Sequence, residues 1–378
     1  MRVTISPEIV ESFVEKQKLF FFLNNTFTKT FFKVEPHQVS MYLKGPKGIL
    51  RYSFPVQSEE VSPSDEVIYA QLDFPKWNNA ILKLRSSLPI QFEATETAFT
   101  LSVGLDTITL GIITYKDITS SEIDIINNFI PNTWKPVSSL VVDDMLSTLF
   151  SVATSVVSPV IKNNAIAIRG NIVIYSDRSI IVQARYPSQI LTSIPATDTI
   201  ILPKYTVDFM QNARKYNTTF YFSADFNVLF WEANPDFQCI LAGDPIEIAI
   251  PSPDDIRAIT PKDESCEIFE IAYSELKKKL DFFNGFYERS IWKPITFDLR
   301  DSQAFLRFSQ QTTELQKEIT VRSSASGSFT ISSENLGKVL SQVDTQNEEI
   351  ISFKFDKDSL GVTCIIGENY LIIFAKIS

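Results

Sequence analysis

Three helical segments open in related ways at a near-constant interval, and this repeat constrains the fold more than any other feature. Pro75-Lys76-Trp77 opens a segment that puts Trp77, Ile81, Leu84 and Leu88 on one face. Pro203-Lys204-Tyr205 opens another, with Val207, Met210 and Ala213 spaced alike. Ser332 or Ser333 caps a third, with Leu336, Val339, Leu340 and Val343 inward. Proline suits a first helical turn because its missing N–H would have no partner there. The openings lie about 130 residues apart, roughly one domain each. A chain that repeats at that period is expected to fold as copies of one unit.

A second helix series precedes the first more loosely. Ser6-Pro7 starts a segment carrying Val10, Phe13 and Phe20; Asp143 or Asp144 starts one carrying Leu146, Phe150 and Ala153; Ser274 caps one carrying Leu276, Leu280 and Phe283. Short β-branched and aromatic runs fill the intervals and read as strands. The expected architecture is α+β, a unit of helix, strands, helix, strands, occurring three times as domains 1–130, 137–251 and 264–378. Proline-rich stretches mark the boundaries, Pro131 to Pro136 and Pro251 to Asp263. The competing expectation is an irregular all-β protein with incidental helices.

Composition removes several function classes. The chain has one histidine, His37, in the turn-like Glu35-Pro36-His37-Gln38. No nucleophile motif such as GxSxG accompanies it, and neither a Walker A sequence nor GxGxxG occurs. The three cysteines, Cys239, Cys266 and Cys364, form no CxxC and read as thiols of a reducing compartment. These observations point to a non-enzymatic protein without cofactor or metal; catalysis by carboxylates alone is the one chemistry left open. Met1-Arg2-Val3-Thr4-Ile5 enters a strand-like run with no signal peptide ahead of it, and no apolar stretch approaches the ~20 residues of a membrane span. The expected location is cytoplasmic, with no membrane partner. The formal net charge of -10 disfavours a surface coated in nucleic acid, while permitting one that gathers its basic residues on a single wall.

The third unit resembles the end of a bacterial β sliding clamp. Ile331-Ser332-Ser333-Glu334-Asn335-Leu336-Gly337-Lys338-Val339-Leu340 is followed by Glu348-Glu349-Ile350-Ile351-Ser352-Phe353-Lys354-Phe355 and, near the C-terminus, by Tyr370-Leu371-Ile372-Ile373-Phe374-Ala375. In the second unit, Ile172 to Val182 is similar to the family's strand–turn–strand VATDGHRLAV, and Ile256-Arg257-Ala258-Ile259-Thr260-Pro261 to its linker YRRVLP. Tyr175-Ser176-Asp177-Arg178 departs from the usual T-D-G-H, a divergence that suggests a bacteriophage or other mobile-element clamp.

The resemblance implies a processivity factor that encircles duplex DNA irrespective of sequence and tethers a DNA polymerase. It also implies a homodimeric ring opened by an ATP-dependent clamp loader. Helices line the hole in that family, which makes Lys16, Lys18, Lys76, Lys83, Arg85, Lys204, Arg214, Lys215, Lys277, Lys278, Lys279 and Lys338 the expected DNA-facing cations. The helix begun by Asp143 and Asp144 carries no basic residue and is expected to be a weak stretch of wall. A pocket for a partner's hydrophobic peptide is implied at Ile161, Tyr175, Arg178 and Ile180, with Pro253, Ile259, Ile372 and Phe374. The subunit joint is implied at Ile108 and Leu110 of one copy and Phe282 and Phe283 of the other. Two rivals from other classes are a β-rich viral structural or adhesion protein and a hydrolytic enzyme built on paired carboxylates.

Overall fold

The computed structural model describes residues 2–21, 29–35, 37–45, 47–60, 68–84, 87–95, 98–111, 113–114, 136–157, 165–191, 194–195, 198–223, 226, 228–242, 250–262, 266–284, 293–300, 303–310, 313–322, 325–343 and 349–377. Seven helices and four antiparallel sheets occur among them. One order of elements is met three times along the chain. The first pass is strand Arg2–Ile5, helix Pro7–Phe21, strands from Lys29–Val34 to Ile68–Leu72, helix Phe74–Leu84, and strands from Ile90–Ala94 to Ile113–Thr114. The second runs from strand Ser138–Val141 through helix Asp144–Ser155, strands Ala165–Arg169 to Thr199–Pro203 and helix Lys204–Ala213, to strands Thr219–Phe222, Val228–Asn234 and Phe237–Ala242. The third runs from Glu267–Ala272 through helix Tyr273–Asn284, strands Pro294–Arg300 to Gly327–Ser332 and helix Ser333–Gln342, to strands Ile350–Phe355, Gly361–Ile366 and Tyr370–Ala375.

Local chemistry sets the helix ends. Asp143 accepts from the N–H of Leu146 at 2.7 Å, and Ser332 from that of Asn335 at 3.2 Å, so each satisfies a donor that the first turn would leave unpaired. The helix Phe74–Leu84 stops short of the sequence expectation: Leu88 lies outside it and is exposed. The stretch around Pro253, expected as a turn-rich linker between repeats, contains a helix, Pro253–Ile259. Ser252 and Asp255 form a reciprocal capping box there, and Pro253 stands in the first turn, where a missing N–H does no harm.

The contacts divide the chain into two compact units: Met1–Val141 with Tyr205–Pro245, and Val142–Lys204 with Ile246–Ser378. The stretch 137–251, expected as a single domain, thus contributes to both, because its strands extend neighbouring sheets. In the first unit, strand Phe237–Ala242 pairs with Gly48–Pro55, setting Cys239 opposite Leu50 and Phe237 opposite Tyr52. In the second, strand Ile180–Arg185 pairs with Tyr370–Ala375, setting Ile180 opposite Phe374 and Val182 opposite Ile372. These two joints have one design: an edge strand from the first strand run of one repeat meets the last strand of the next.

Each unit has an aromatic core. In the first, Trp77 meets Phe32 edge-on with centroids 4.6 Å apart, and Trp231 meets Phe237 at 5.2 Å while its indole N–H donates to the Asn217 carbonyl at 2.9 Å. In the second, Phe269, Phe297, Phe329 and Phe353 form a stack, with Phe297–Phe329 at 4.8 Å and Phe269–Phe353 at 4.9 Å. Such pairs add about 0.5–1.5 kcal/mol each beyond the area they bury. Many of the chain's 30 phenylalanines are therefore core material.

Candidate nucleic-acid and partner surfaces

The expected cations fall into distinct groups. In the first unit, Lys18, Lys76 and Lys83 are exposed on their helices and Arg214 is half-exposed. Lys215 is exposed with its ammonium 4.8 Å from the ring centre of Tyr216. Arg85 lies outside the described residues. Lys16 departs from expectation. Its ammonium sits 4.4 Å over the ring of Tyr52 and 5.1 Å over that of Phe237, the pair that closes the strand joint. Burial lowers its pKa, and the nearby charge of Asp236 offsets part of that shift. Lys16 is therefore engaged at the joint through cation–π contact, not projected as a free wall charge.

In the second unit, Lys204 is half-exposed, and the helix Asp144–Ser155 carries no basic side chain. The run Lys277-Lys278-Lys279 is not one patch. Lys279 pairs with Glu275 at 3.4 Å, Lys278 is exposed, and Lys277 approaches the Tyr273 hydroxyl at 3.3 Å. Lys338 pairs with Glu334 at 2.7 Å.

The expected peptide pocket is divided by the sheet itself. Directly paired residues of antiparallel strands share a face, and alternate residues change face. Tyr175 opposes Val182, which opposes Ile372, and Ile180 opposes Phe374. All of these lie on one face and are buried, Ile372 at 0 % and Phe374 at 1 % exposure. The Tyr175 hydroxyl donates to Asp177 at 3.0 Å, and the Asp177 carboxylate also accepts the N–H groups of Ser179 and Ile180. That turn leaves Arg178 exposed. Tyr175, Ile180, Ile372 and Phe374 are therefore core residues of the joint. This corrects the reading of Phe374 as a residue spare from the core.

The opposite face carries a second row that is buried as well, with Ile181 at 6 %, Ile373 at 2 % and Thr363 at 5 % exposure. Ile181 opposes Ile373, which opposes Thr363, in one cross-strand row. Beside them runs the short helix: a Cβ built on Gly361 would stand 2.8 Å from Ile373 Cγ2 and 3.0 Å from the Ile259 carbonyl oxygen. Ile259 is half-buried, Pro253 is exposed, and Leu360, just before the strand Gly361–Ile366, is 71 % exposed. The hydroxyl of Thr363 is buried without a hydrogen-bond partner. Ile161 lies outside the described residues. Of the expected pocket residues, Ile259 is the one whose backbone comes up beside this row. Gly361→Ala should force the short helix away from the strand and cost about 1–3 kcal/mol, as overpacking does. Equal melting temperatures for variant and parent would show that the helix does not press on this strand.

At the expected subunit joint, Ile108 and Leu110 lie on strand Asp106–Gly111, the last in its sheet. They oppose Leu101 and Phe99, which are fully buried, yet are themselves only half covered. Phe283 is fully buried and belongs to the core, so it cannot present a joint surface. Phe282 is 39 % exposed, with the ammonium of Lys317 lying 4.4 Å over its ring. Lys317 belongs to Thr313–Ile319, another strand at the end of its sheet. His37 is exposed, and its carbonyl accepts the N–H of Val56. Among the described residues, no group of three His, Cys, Asp or Glu side chains is placed to hold a metal ion. None of the described helices is long and apolar enough to cross a membrane.

No protein-family model matches the sequence, and no curated protein does. Solved structures match it over its whole length. The DNA polymerase sliding clamp from Caulobacter crescentus superposes with a TM-score of 0.78 at 12% identity, covering 100% of both chains. The Helicobacter pylori β clamp bound to a DNA ligase peptide gives 0.73 at 13% identity, and the DNA polymerase III subunit beta from Pseudomonas aeruginosa 0.73 at 12%, each covering 100% of both chains. The chain has the α+β fold of the bacterial β sliding clamps.

Proposed function

We propose that this chain is a DNA sliding clamp, a non-catalytic processivity factor that encircles duplex DNA and tethers a DNA polymerase. The observation that carries this reading is the match to clamp structures over 100% of both chains. We read the repeats as domains 1–130, 137–251 and 264–378, and the assembly as two copies closed head to tail into a six-domain ring. A heterologous contact makes a ring when its rotation closes. The two strand joints within the chain supply the template for the third. In it, the end strand Thr313–Ile319 of one copy would take up Asp106–Gly111 of the next. An ATP-dependent loader would open such a ring, and the setting would be the cytoplasm of a bacterium, or of one infected by a phage.

The partner site in this reading draws on half-buried Ile259 and exposed Leu360, together with the buried row of Ile181, Thr363 and Ile373. A small apolar row with few polar edges suits a hydrophobic peptide anchor. The related H. pylori clamp was solved with a ligase peptide, and a polymerase tail of the Gln-x-x-Leu-Phe kind is the expected ligand here. A β-rich structural or adhesion protein has no need of this repeat or of two open sheet ends.

Topology provides the test. Loaded onto DNA, a closed ring should stay on a circle and run off a linear duplex of the same sequence. Replacing Lys277, Lys278 and Lys279 together with Glu should reduce loading, and the difference should narrow as salt rises. Lys277 and Lys278 are exposed, and Lys279→Glu turns the ion pair with Glu275 into a like-charge pair that costs about 0.5 kcal/mol on a helix, so folding should persist. Equal retention on circular and linear DNA would sink the clamp reading.

A further inference from the structure

The proposed partner site is assembled from separate segments of the chain. Half-buried Ile259 ends the short helix Pro253–Ile259, and Leu360 stands in the turn between strands Ile350–Phe355 and Gly361–Ile366. Ile373 belongs to the last strand, Tyr370–Ala375. One half-buried residue of the turn, Asp356, bonds to the chain beyond the short helix, to the turn itself and to the chain beyond the last strand. Its two carboxylate oxygens have separate partners. Oδ1 accepts the N–H groups of Asp358, at 2.8 Å, and of Ser359, which closes the turn just before Leu360. Oδ2 accepts the N–H of Lys262 at 3.3 Å, shortly after the end of the helix at Ile259. The Asp356 carbonyl accepts from the ammonium of Lys376, whose own N–H donates to the Leu360 carbonyl at 3.0 Å.

We infer that Asp356 is a positioning residue of the partner site, an inference that rests on the clamp reading. Its Oδ2 latches the segment after the short helix to the turn that carries Leu360, and so holds Ile259 beside the row of Ile181, Thr363 and Ile373. The helix needs such a latch, because none of the residues Pro253–Ile259 is buried and apolar burial anchors it weakly. A peptide that requires Ile259 in place binds only the latched fraction of the chain. Its apparent dissociation constant is then the intrinsic one divided by that fraction. Burial works against the charge on Asp356, but the hydrogen bonds from Ser359, Asp358 and Lys262 outweigh it and hold the carboxyl below its ordinary pKa. The latch therefore stays charged near neutral pH.

Asp356→Asn separates the two oxygens. The one that remains can keep both N–H groups of the turn, while the new amide nitrogen, a donor, faces the donor of Lys262. Calorimetry of the full chain with a Gln-x-x-Leu-Phe peptide should show binding weakened about fivefold, the worth of one ordinary hydrogen bond. The unfolding midpoint should hardly move. Lys357→Gln, at an exposed neighbour, should bind as the parent does. A second measurement needs no variant: in the parent, saturating peptide should slow hydrogen exchange at the Lys262 amide, because coupling between latch and peptide is reciprocal. A turn that merely stabilised the fold would show no such dependence. Parent-like affinity in Asp356→Asn, equal losses in the two variants, or Lys262 exchange indifferent to peptide would each overturn the latch and leave the clamp reading intact. A parent chain that does not bind the peptide would remove the partner site itself, and the latch with it.

Discussion

Phe374→Ala should destabilise the folded chain by about 3–5 kcal/mol, the usual cost of emptying a large aromatic site in a packed core. Phe374 lies four residues from the end of the sequence, where truncation ordinarily matters little. Here the last strand is internal to a sheet, paired with Ile180–Arg185 on one side and Gly361–Ile366 on the other. Phe374 opposes Ile180 and Val362, and all three are buried. Removing its ring leaves a void bordered by two strands that cannot both move in. Denaturant unfolding should show a lower midpoint with an unchanged slope. Leu360→Asp makes the complementary case: at 71 % exposure it should leave the midpoint nearly unchanged and, if the proposed partner site includes it, weaken binding of a Gln-x-x-Leu-Phe peptide. A Phe374→Ala chain as stable as its parent would show that the residue lies outside the core after all.

The contrast between these two residues shows what the sequence could and could not convey. Helices were legible because their apolar residues return every three or four positions, and Trp77, Leu146, Met210 and Leu336 all point inward as that period requires. Strand register was not legible at the C-terminus. Tyr370-Leu371-Ile372-Ile373-Phe374 is a continuous apolar run, as strands covered on both faces are, so it holds no alternation from which to read a face. A one-residue slip exchanges Ile372 and Phe374 for Ile373, and with them one buried face of the sheet for the other. The short helix Pro253–Ile259 was missed because its prolines read as breakers, although Ser252-Pro253-Asp254-Asp255 carries the capping signal in full. The strand joints were beyond any local reading, since they pair Leu50 with Cys239 and Val182 with Ile372 across long stretches of chain. Only the repeat itself hinted that the joints should recur.

That recurrence leads to the second large effect: Ile108→Asp with Leu110→Asp should convert the proposed dimeric ring into folded monomers. At each joint within the chain, the core face of one strand continues into the next, Leu50 onto Cys239 and Ile180 onto Phe374, and all four side chains are buried. At the end strand Asp106–Gly111 the same face runs out. Phe99 and Leu101 are fully buried, while their cross-strand partners Leu110 and Ile108 are half covered, with no further strand beyond them among the described residues. Strand Thr313–Ile319 ends its own sheet in the same way, with Leu315 opposing the buried Phe308 and Lys317 opposing the buried Leu306. Unpaired strand ends with apolar side chains invite pairing with another chain. An unpaired carboxylate buried in such a joint costs several kcal/mol, and even ~3 kcal/mol raises a dissociation constant more than a hundredfold. In the monomer the same side chains stay half in water, where the charge is hydrated and the fold keeps most of its stability. Sedimentation equilibrium should therefore report one chain for the variant and two for the parent, with matching circular dichroism. Dimers that persist in the variant would place the joint elsewhere, and a monomeric parent would remove the pre-formed ring.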